Sequence, residues 1–411
     1  MATIRARLRG LYSRCIEVVR NMTVNYLLTP ISLVMPKQKG MIICFGRDAG
    51  EFVDNVKYFF LYTAGARDRE VTCFFLTEKR PVYEKLRREG FKVLYFPSFK
   101  AFLCMLRARV LIVDNITWTR GSKYTFFLRA KKVQLWHGVG LKAIELNNKF
   151  EKQAQAAETK KRDVADSRFP RYDLLVSTSG FYTEHVFRRS LLGAKIIESG
   201  YPRNDIFFRK IDGADIEADT ATIEKIKKAK SDGCKIVLYA PTFRERIICA
   251  QKTPALDLAQ LHAVAARYRI IFVFKSHPWQ PFPLTRELDD FLLEYQPSKD
   301  VYPALPLTDL LITDYSSLYM DYLLCDKPVI FFPYDYQDYI SRDREIQFDY
   351  DSMTPGPKCY DQRSLESEII KCLVDGQDSH VGDRKQIAEL AFAYRDGEAS
   401  KRIMEEVKKI V

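Results

Sequence analysis

Short apolar runs alternate with amphipathic stretches along most of the chain. "GMIICFG" (40–46), "EVTCFFLT" (70–77), "FKVLYFP" (91–97), "RVLIVDN" (109–115) and "KVQLWHG" (132–138) are nearly continuous in apolar character and bounded by turn or polar residues. Between the first two, "FVDNVKYFFLYTA" carries a helical pattern. Runs too short for helices, separated by helices, predict strands of a parallel sheet covered on both faces. A polar, charged stretch at 147–171 breaks the series and predicts a solvent-facing helix or a mobile loop. "YDLLVSTS" (172–179) and "AKIIESGYPRND" (194–205) resume it.

A second series begins after a charged linker at 212–230. "CKIVLYAPTFRE" (234–245), "RIIFVFKSHPW" (269–279), "DLLITDYSSLYMDYLL" (309–324) and "KPVIFFPYD" (327–335) each open with a strand pattern, and the chain from about 384 onward predicts helices. Two successive β/α series predict an α/β protein of two Rossmann-like domains facing one another. The expected divisions are an amphipathic segment over 1–36, a first domain over 37–208, a second over 209–375 and terminal helices over 376–411.

The length of 411 residues suits about two domains, and 47% hydrophobic residues supply two cores. The net charge of +12 predicts an anionic partner: nucleic acid, a phosphorylated substrate or an acidic membrane surface. The basic residues are spread along the chain and no nucleic-acid-binding motif occurs, so nucleic acid is not expected. Nine scattered cysteines without a CxxC pair predict reduced thiols of a cytosolic protein, not a metal site. At the start, arginines interleave with Leu8, Leu11, Tyr12, Ile16 and Val19, the pattern of a basic amphipathic helix. The apolar run that follows is broken by Pro30 and falls short of the roughly 20 residues that span a bilayer. Two readings stand open: a helix lying in a membrane interface, or one packed on its own domain.

Ligands of open α/β sheets bind outside the carboxyl ends of the strands. His137 follows "KVQLW", Thr242 and Arg244 follow "KIVLYAP", Lys275, Ser276 and His277 follow "RIIFVF", and Asp314, Ser316 and Ser317 follow "DLLIT". Serine hydroxyls at the start of a helix, with the unpaired N–H groups there, predict a phosphate cradle. Asp321, one turn on and on the same face, is expected to accept from ribose hydroxyls. Thr242, Arg244, Lys275 and His277 would add donors and positive charge. His137, beside Gly138 and Gly140, reads either as a core histidine before a turn or as a base at the mouth of a cleft. Neither a GxxxxGK[ST] loop nor a GxGxxG fingerprint occurs.

"LWHGVGLK", "SGYPRND", "YAPTFRE", "FKSHP", "ITDYSSLYMDYLL" with "KPVIFF", and "PGP" occur in this order across roughly 108–360. In these motifs the chain resembles the CDP-glycerol glycerophosphotransferases, the teichoic-acid glycerol-phosphate primases and polymerases. The resemblance implies a GT-B fold with its active site between the domains, His137 as the base for the acceptor hydroxyl, and His277 with Ser316 and Ser317 on the diphosphate. It implies CDP-glycerol as donor, no metal or other cofactor, and a lipid-linked saccharide or growing polymer as acceptor at the cytoplasmic face of an anionic membrane. Gly138 and Lys142 would stand on the acceptor side. Where the family motif often carries Thr, Pro and Lys, this chain has Val139, Gly140 and Ala143. A CDP-ribitol-dependent transferase, a sugar-nucleotide GT-B glycosyltransferase and a non-enzymatic assembly factor are the alternatives.

Overall fold

The computed structural model describes residues 26–66, 70–119, 123–147, 170–244, 256–277, 291–342 and 345–411. The basic segment 1–25 and nearly all of the polar stretch 147–171 lie outside the described residues. The first sheet has seven parallel strands: β1 (Met41–Phe45), β2 (Thr72–Thr77), β3 (Val93–Tyr95), β4 (Val110–Val113), β5 (Lys131–Gln134), β6 (Tyr172–Ser177) and β7 (Gly193–Glu198). Their order is β3-β2-β1-β4-β5-β6-β7. The second sheet, also parallel, contains β8 (Lys235–Tyr239), β9 (Ile270–Phe274), β10 (Leu292–Glu294), β11 (Leu310–Thr313) and β12 (Val329–Phe331), in the order β10-β9-β8-β11-β12. In both sheets the order of strand addition reverses beside the first strand, between β1 and β4 and between β8 and β11. A crevice opens at such a switch point.

Strand composition follows from burial on two sides. Successive side chains point to opposite faces. In β8, Ile236 and Leu238 join one apolar core while Val237 and Tyr239 join another. β9 divides likewise, Ile271 and Val273 against Ile270, Phe272 and Phe274. A strand buried on both faces has no polar side to show, so it reads as an unbroken apolar run. The three-residue edge strand β10 is too short to give a pattern and was not expected.

Helix α1 (Asp54–Gly65) lies where the helical pattern predicts. The charged linker at 212–230 contains a helix instead, α2 (Thr220–Ser231). Asp219 caps it by accepting the Thr222 N–H, and Ile223 and Ile226 are buried beneath its lysines. The short helix α3 (Leu318–Tyr322) follows β11, and α4 (Ala399–Lys408) is the last of the described helices. Through Ile403, Met404 and Val407, α4 returns to the first domain and packs on α1.

The two sheet domains share one continuous core, from Ile42 and Val133 of the first to Leu238 and Leu311 of the second. A buried ion pair crosses the interface as well. Lys57 Nζ meets Asp300 Oδ2 at 2.7 Å and also donates to the carbonyls of Ala214 and Ile216, while the Tyr58 hydroxyl donates to the same carboxylate oxygen at 2.9 Å. All three protons of the ammonium are used, which offsets the cost of burying it.

Candidate active site

The first wall of the inter-domain cleft is made by the turn after β5. The carboxamide of Gln134 accepts the Trp136 N–H at 2.9 Å and donates to the Asn115 carbonyl and the Tyr172 hydroxyl. Trp136 takes a left-handed conformation, φ 62°, and its carbonyl accepts from Asn55 Nδ2 at 2.8 Å. The strand therefore stops at Gln134, and the residue after Trp136 is turned outward. That residue is His137, exposed in the cleft, with its ring centroid 4.4 Å from that of Trp136.

His137 Nδ1 lies 3.0 Å from the Asp114 backbone carbonyl oxygen. A carbonyl only accepts, so Nδ1 carries the proton, and the neutral ring keeps a lone pair on Nε2. Desolvation by the surrounding walls lowers the pKa below the ordinary imidazole value. The Asp54 carboxylate and the bond to Asp114 oppose that shift, and the Arg203 and Arg47 cations reinforce it. The ring is thus held neutral and in the tautomer a base needs.

The second wall is built from the ends of β8, β9 and β11. They bring Thr242, His277, Ser316 and Ser317 into one cavity of about 360 Å³ with His137, Gly138 and Lys142. The Phe243 ring stacks on His277 at 4.5 Å. Ser316 Oγ accepts the Leu318 N–H at 3.3 Å, whereas the Ser317 hydroxyl does not cap α3. A cavity of about 450 Å³ beside α1 is larger, but none of these groups lines it. The two glycines after His137 serve the meeting of the walls. A Cβ on Gly138 would stand 2.8 Å from Arg203 Nη2 and 3.0 Å from Ser317 Oγ; one on Gly140 would stand 3.1 Å from Ser317 Cβ.

Four residues expected at the donor do not reach the cavity. Arg244, with 4% of its side chain exposed, lies behind it. Its guanidinium donates to both Asp335 oxygens at 2.7 and 2.9 Å and to the Thr242 carbonyl at 2.6 Å, pairs with Asp314 at 2.8 Å, and is flanked by the Tyr315, Tyr334 and Tyr339 rings. Asp314 accepts the N–H groups of Thr242 and Tyr315. Burial would raise its pKa, but Arg244 and these bonds outweigh burial and hold it low. Lys275 donates to the Pro297 carbonyl at 2.5 Å, and burial, with Arg47 nearby, brings its pKa down to about 8. Asp321 is 1% exposed and accepts from Arg203, Asn204 and Tyr302. Its oxygens are taken by protein donors, so it is not placed to receive ribose. Arg244, Asp314 and Asp321 are ion-paired behind the cavity, where a charge needs a partner of opposite sign, and Lys275 is held by a backbone carbonyl.

The family described as CDP-glycerol:poly(glycerophosphate) glycerophosphotransferase matches residues 27–409. The chain belongs to this family. It is 29% identical to a teichoic acid glycerol-phosphate transferase of Staphylococcus aureus over 324 residues, 76% of this chain and 79% of that protein. It is 25% identical to a teichoic acid glycerol-phosphate primase of Bacillus subtilis over 344 residues, covering 83% and 80%. A teichoic acid poly(ribitol-phosphate) polymerase of Bacillus spizizenii is 33% identical over 218 residues, which are 52% of this chain but 33% of that longer protein. In structure, the wall teichoic acid polymerase TagF superposes with a TM-score of 0.72 at 19% identity, over 97% of this chain and 98% of that one. That likeness establishes the two-domain GT-B architecture.

Within this glycerophosphotransferase, the supports that strand-end reasoning passed over are Asp54, Arg203, Tyr302 and Asp335. Asp335 was within reach, since it closes "FFPYD" just beyond β12 and obeys the same positional rule as Asp314. Arg203 stood in the quoted "SGYPRND" without a role. Asp54 and Tyr302 carry no local signal, because their partners lie 149 and 19 residues away.

Proposed function

We propose that this glycerophosphotransferase moves glycerol phosphate from CDP-glycerol to a hydroxyl of a lipid-linked saccharide or growing polymer, in the synthesis of teichoic acid or a related cell-surface polymer. The observation that carries the reading is His137, held in the base tautomer, facing Ser316, Ser317 and His277 across one cavity. The acceptor oxygen attacks the β-phosphorus and passes its proton to Nε2 of His137. The bond from that phosphorus to the bridging oxygen breaks, and CMP leaves with the oxygen. Hydroxyls of Thr242, Ser316 and Ser317 and the His277 ring meet the diphosphate, so that positioning and charge stabilisation do most of the chemistry without a separate cofactor. The first domain holds the acceptor, with Gly138 and Lys142 at its lip, and the second holds the donor.

Incubation with CDP-glycerol, CDP-ribitol and a set of UDP-sugars tests the reading. CMP release with CDP-glycerol supports it. UDP release with no CMP would make the protein a sugar transferase. CDP-ribitol is the second donor to examine, because a ribitol-phosphate polymerase is among the relatives.

The enzyme works, in this reading, as a peripheral protein at the cytoplasmic face of an anionic membrane. Among the described residues no helix is long and apolar enough to cross a bilayer. Residues 26–34 are helical; Leu28 and Ser32 turn to the first domain, while Tyr26, Leu27 and Val34 are 78%, 65% and 76% exposed. An apolar outer face on such a helix suits an interface. Replacing Leu27 and Val34 together by serine should lower sedimentation with anionic vesicles and spare transfer to a soluble acceptor. Unchanged sedimentation removes the membrane role from this helix.

A further inference from the structure

Arg203 touches both sides of the cleft at once. It follows β7 in the 3-10 turn Pro202–Phe207, and only 4% of its side chain is exposed. Nη1 donates to Asp54 Oδ1 at 2.6 Å and to the backbone carbonyl of His137 at 2.9 Å. Nη2 donates to Asp321 Oδ2 at 2.6 Å, on the helix that starts directly after Ser317. Asn204 and Tyr302 complete the Asp321 carboxylate at 3.0 and 2.6 Å. The Tyr302 ring lies 4.9 Å from the guanidinium, and the Arg203 N–H is itself held by Asn55 Oδ1 at 3.1 Å. Gly138 leaves no room between its Cα and this guanidinium for a side chain.

We propose that Arg203 is a positioning residue that sets the separation between the His137 base and the Ser316–Ser317 pair by bonding the base loop and the serine-bearing helix to one rigid guanidinium. The proposal rests on the reading of His137 as the base. A planar fork fixes both the distance and the angle of what it binds, which a flexible ammonium does not. Misplacement of a reacting group by about 1 Å can cost on the order of 100-fold in rate. Arg203 lies behind the cavity and not in its lining, so the cost falls on turnover and not on donor binding.

The test uses the full chain with Arg203→Lys, Arg203→Met and Asp321→Asn, and with His137→Ala as reference. Single-turnover transfer from CDP-glycerol and the calorimetric affinity for that donor are both measured. The two Arg203 variants should slow transfer about 100-fold while donor affinity stays within about threefold. Asp321→Asn should slow it about tenfold in the same manner, its effect smaller because Arg203 stays on Asp54 and the His137 carbonyl.

A pH profile separates positioning from mere packing. The charged groups around His137 are Asp54 of α1, Arg47 after β1, Arg203, and Asp114, which offers its carbonyl. Removing the Arg203 cation in Arg203→Met takes away a depressing influence, so the acidic limb moves to higher pH; Arg203→Lys leaves it in place. Wild-type turnover in Arg203→Lys, or a loss of rate matched by an equal loss of donor affinity, overturns the proposal. If the Arg203 variants melt below the assay temperature, Asp321→Asn decides by the same two readouts. An active His137→Ala sinks the base reading itself. An inactive His137→Ala beside fully active Arg203→Lys and Asp321→Asn sinks the positioning role alone.

Discussion

Two tiers of polar residues stand at the strand ends of this protein, and they differ in what their atoms already hold. The front tier, His137, His277, Thr242, Ser316 and Ser317, lines the cavity. The rear tier, Arg203, Asp321, Arg244, Asp314 and Asp335, is buried and ion-paired. Residue type does not separate them: each tier contains groups that bind phosphate or ribose in other settings. Separation comes from depth. A charge that loses its water must find a partner inside the protein, and once paired it has little left for a ligand.

Replacing one member of each tier should break different properties. His137→Ala should lower transfer by about 100- to 10,000-fold, the range for general-base catalysis, and leave CDP-glycerol affinity nearly intact; CMP release and calorimetry report the two. Arg244→Ala should instead destabilise the fold by about 3–5 kcal/mol, since it strands Asp314 and Asp335 without their cation. Denaturant unfolding measures this, and a stable, fully active variant would move Arg244 out of the rear tier. Ser317→Ala should weaken donor binding by about 1.5–3 kcal/mol, the range for a hydrogen bond to a charged group, and leave the unfolding midpoint unchanged.

The smallest effect is a shift along the pH axis. A base must be neutral to work, so transfer falls as pH drops through the His137 pKa. Desolvation between the cleft walls lowers that pKa, and the acidic limb of kcat/KM should lie below the ordinary imidazole value of 6.5. A limb above that value would mean that Asp54 outweighs desolvation at this ring.

Among the described residues, eleven of the twelve strands could be read in the sequence, most plainly those buried on both faces, which must be apolar without interruption. The strand before His137 was carried two residues too far, to Trp136, whereas β5 ends at Gln134. Nothing in "VQLWHG" announces that Gln134 will cap Trp136 and turn it left-handed. The front tier was also legible, since the positional rule for strand ends finds it. The depth of Arg244 and Asp321 was not. Depth is a property of the packed interface, and the partners that fix it, Asp335 and Arg203, lie 91 and 118 residues from them in the chain. Nor does the sequence show that Gly138 and Gly140 make room for Ser317 and Arg203, residues of the protein itself.

The return of α4 to the first domain bears on how the protein is made. Asp205, almost fully buried, accepts from the N–H groups of Ala399 and Ser400 and from the Ser400 hydroxyl. Those donors leave the ribosome only after both sheets have done so. A nascent chain carrying both complete sheets still has this carboxylate without them, and the surface of α1 that receives α4 still faces water. The first sheet domain is therefore finished only after the second has been made, and a stop codon shortly before residue 399 would damage the half of the molecule that lies farther from it in sequence.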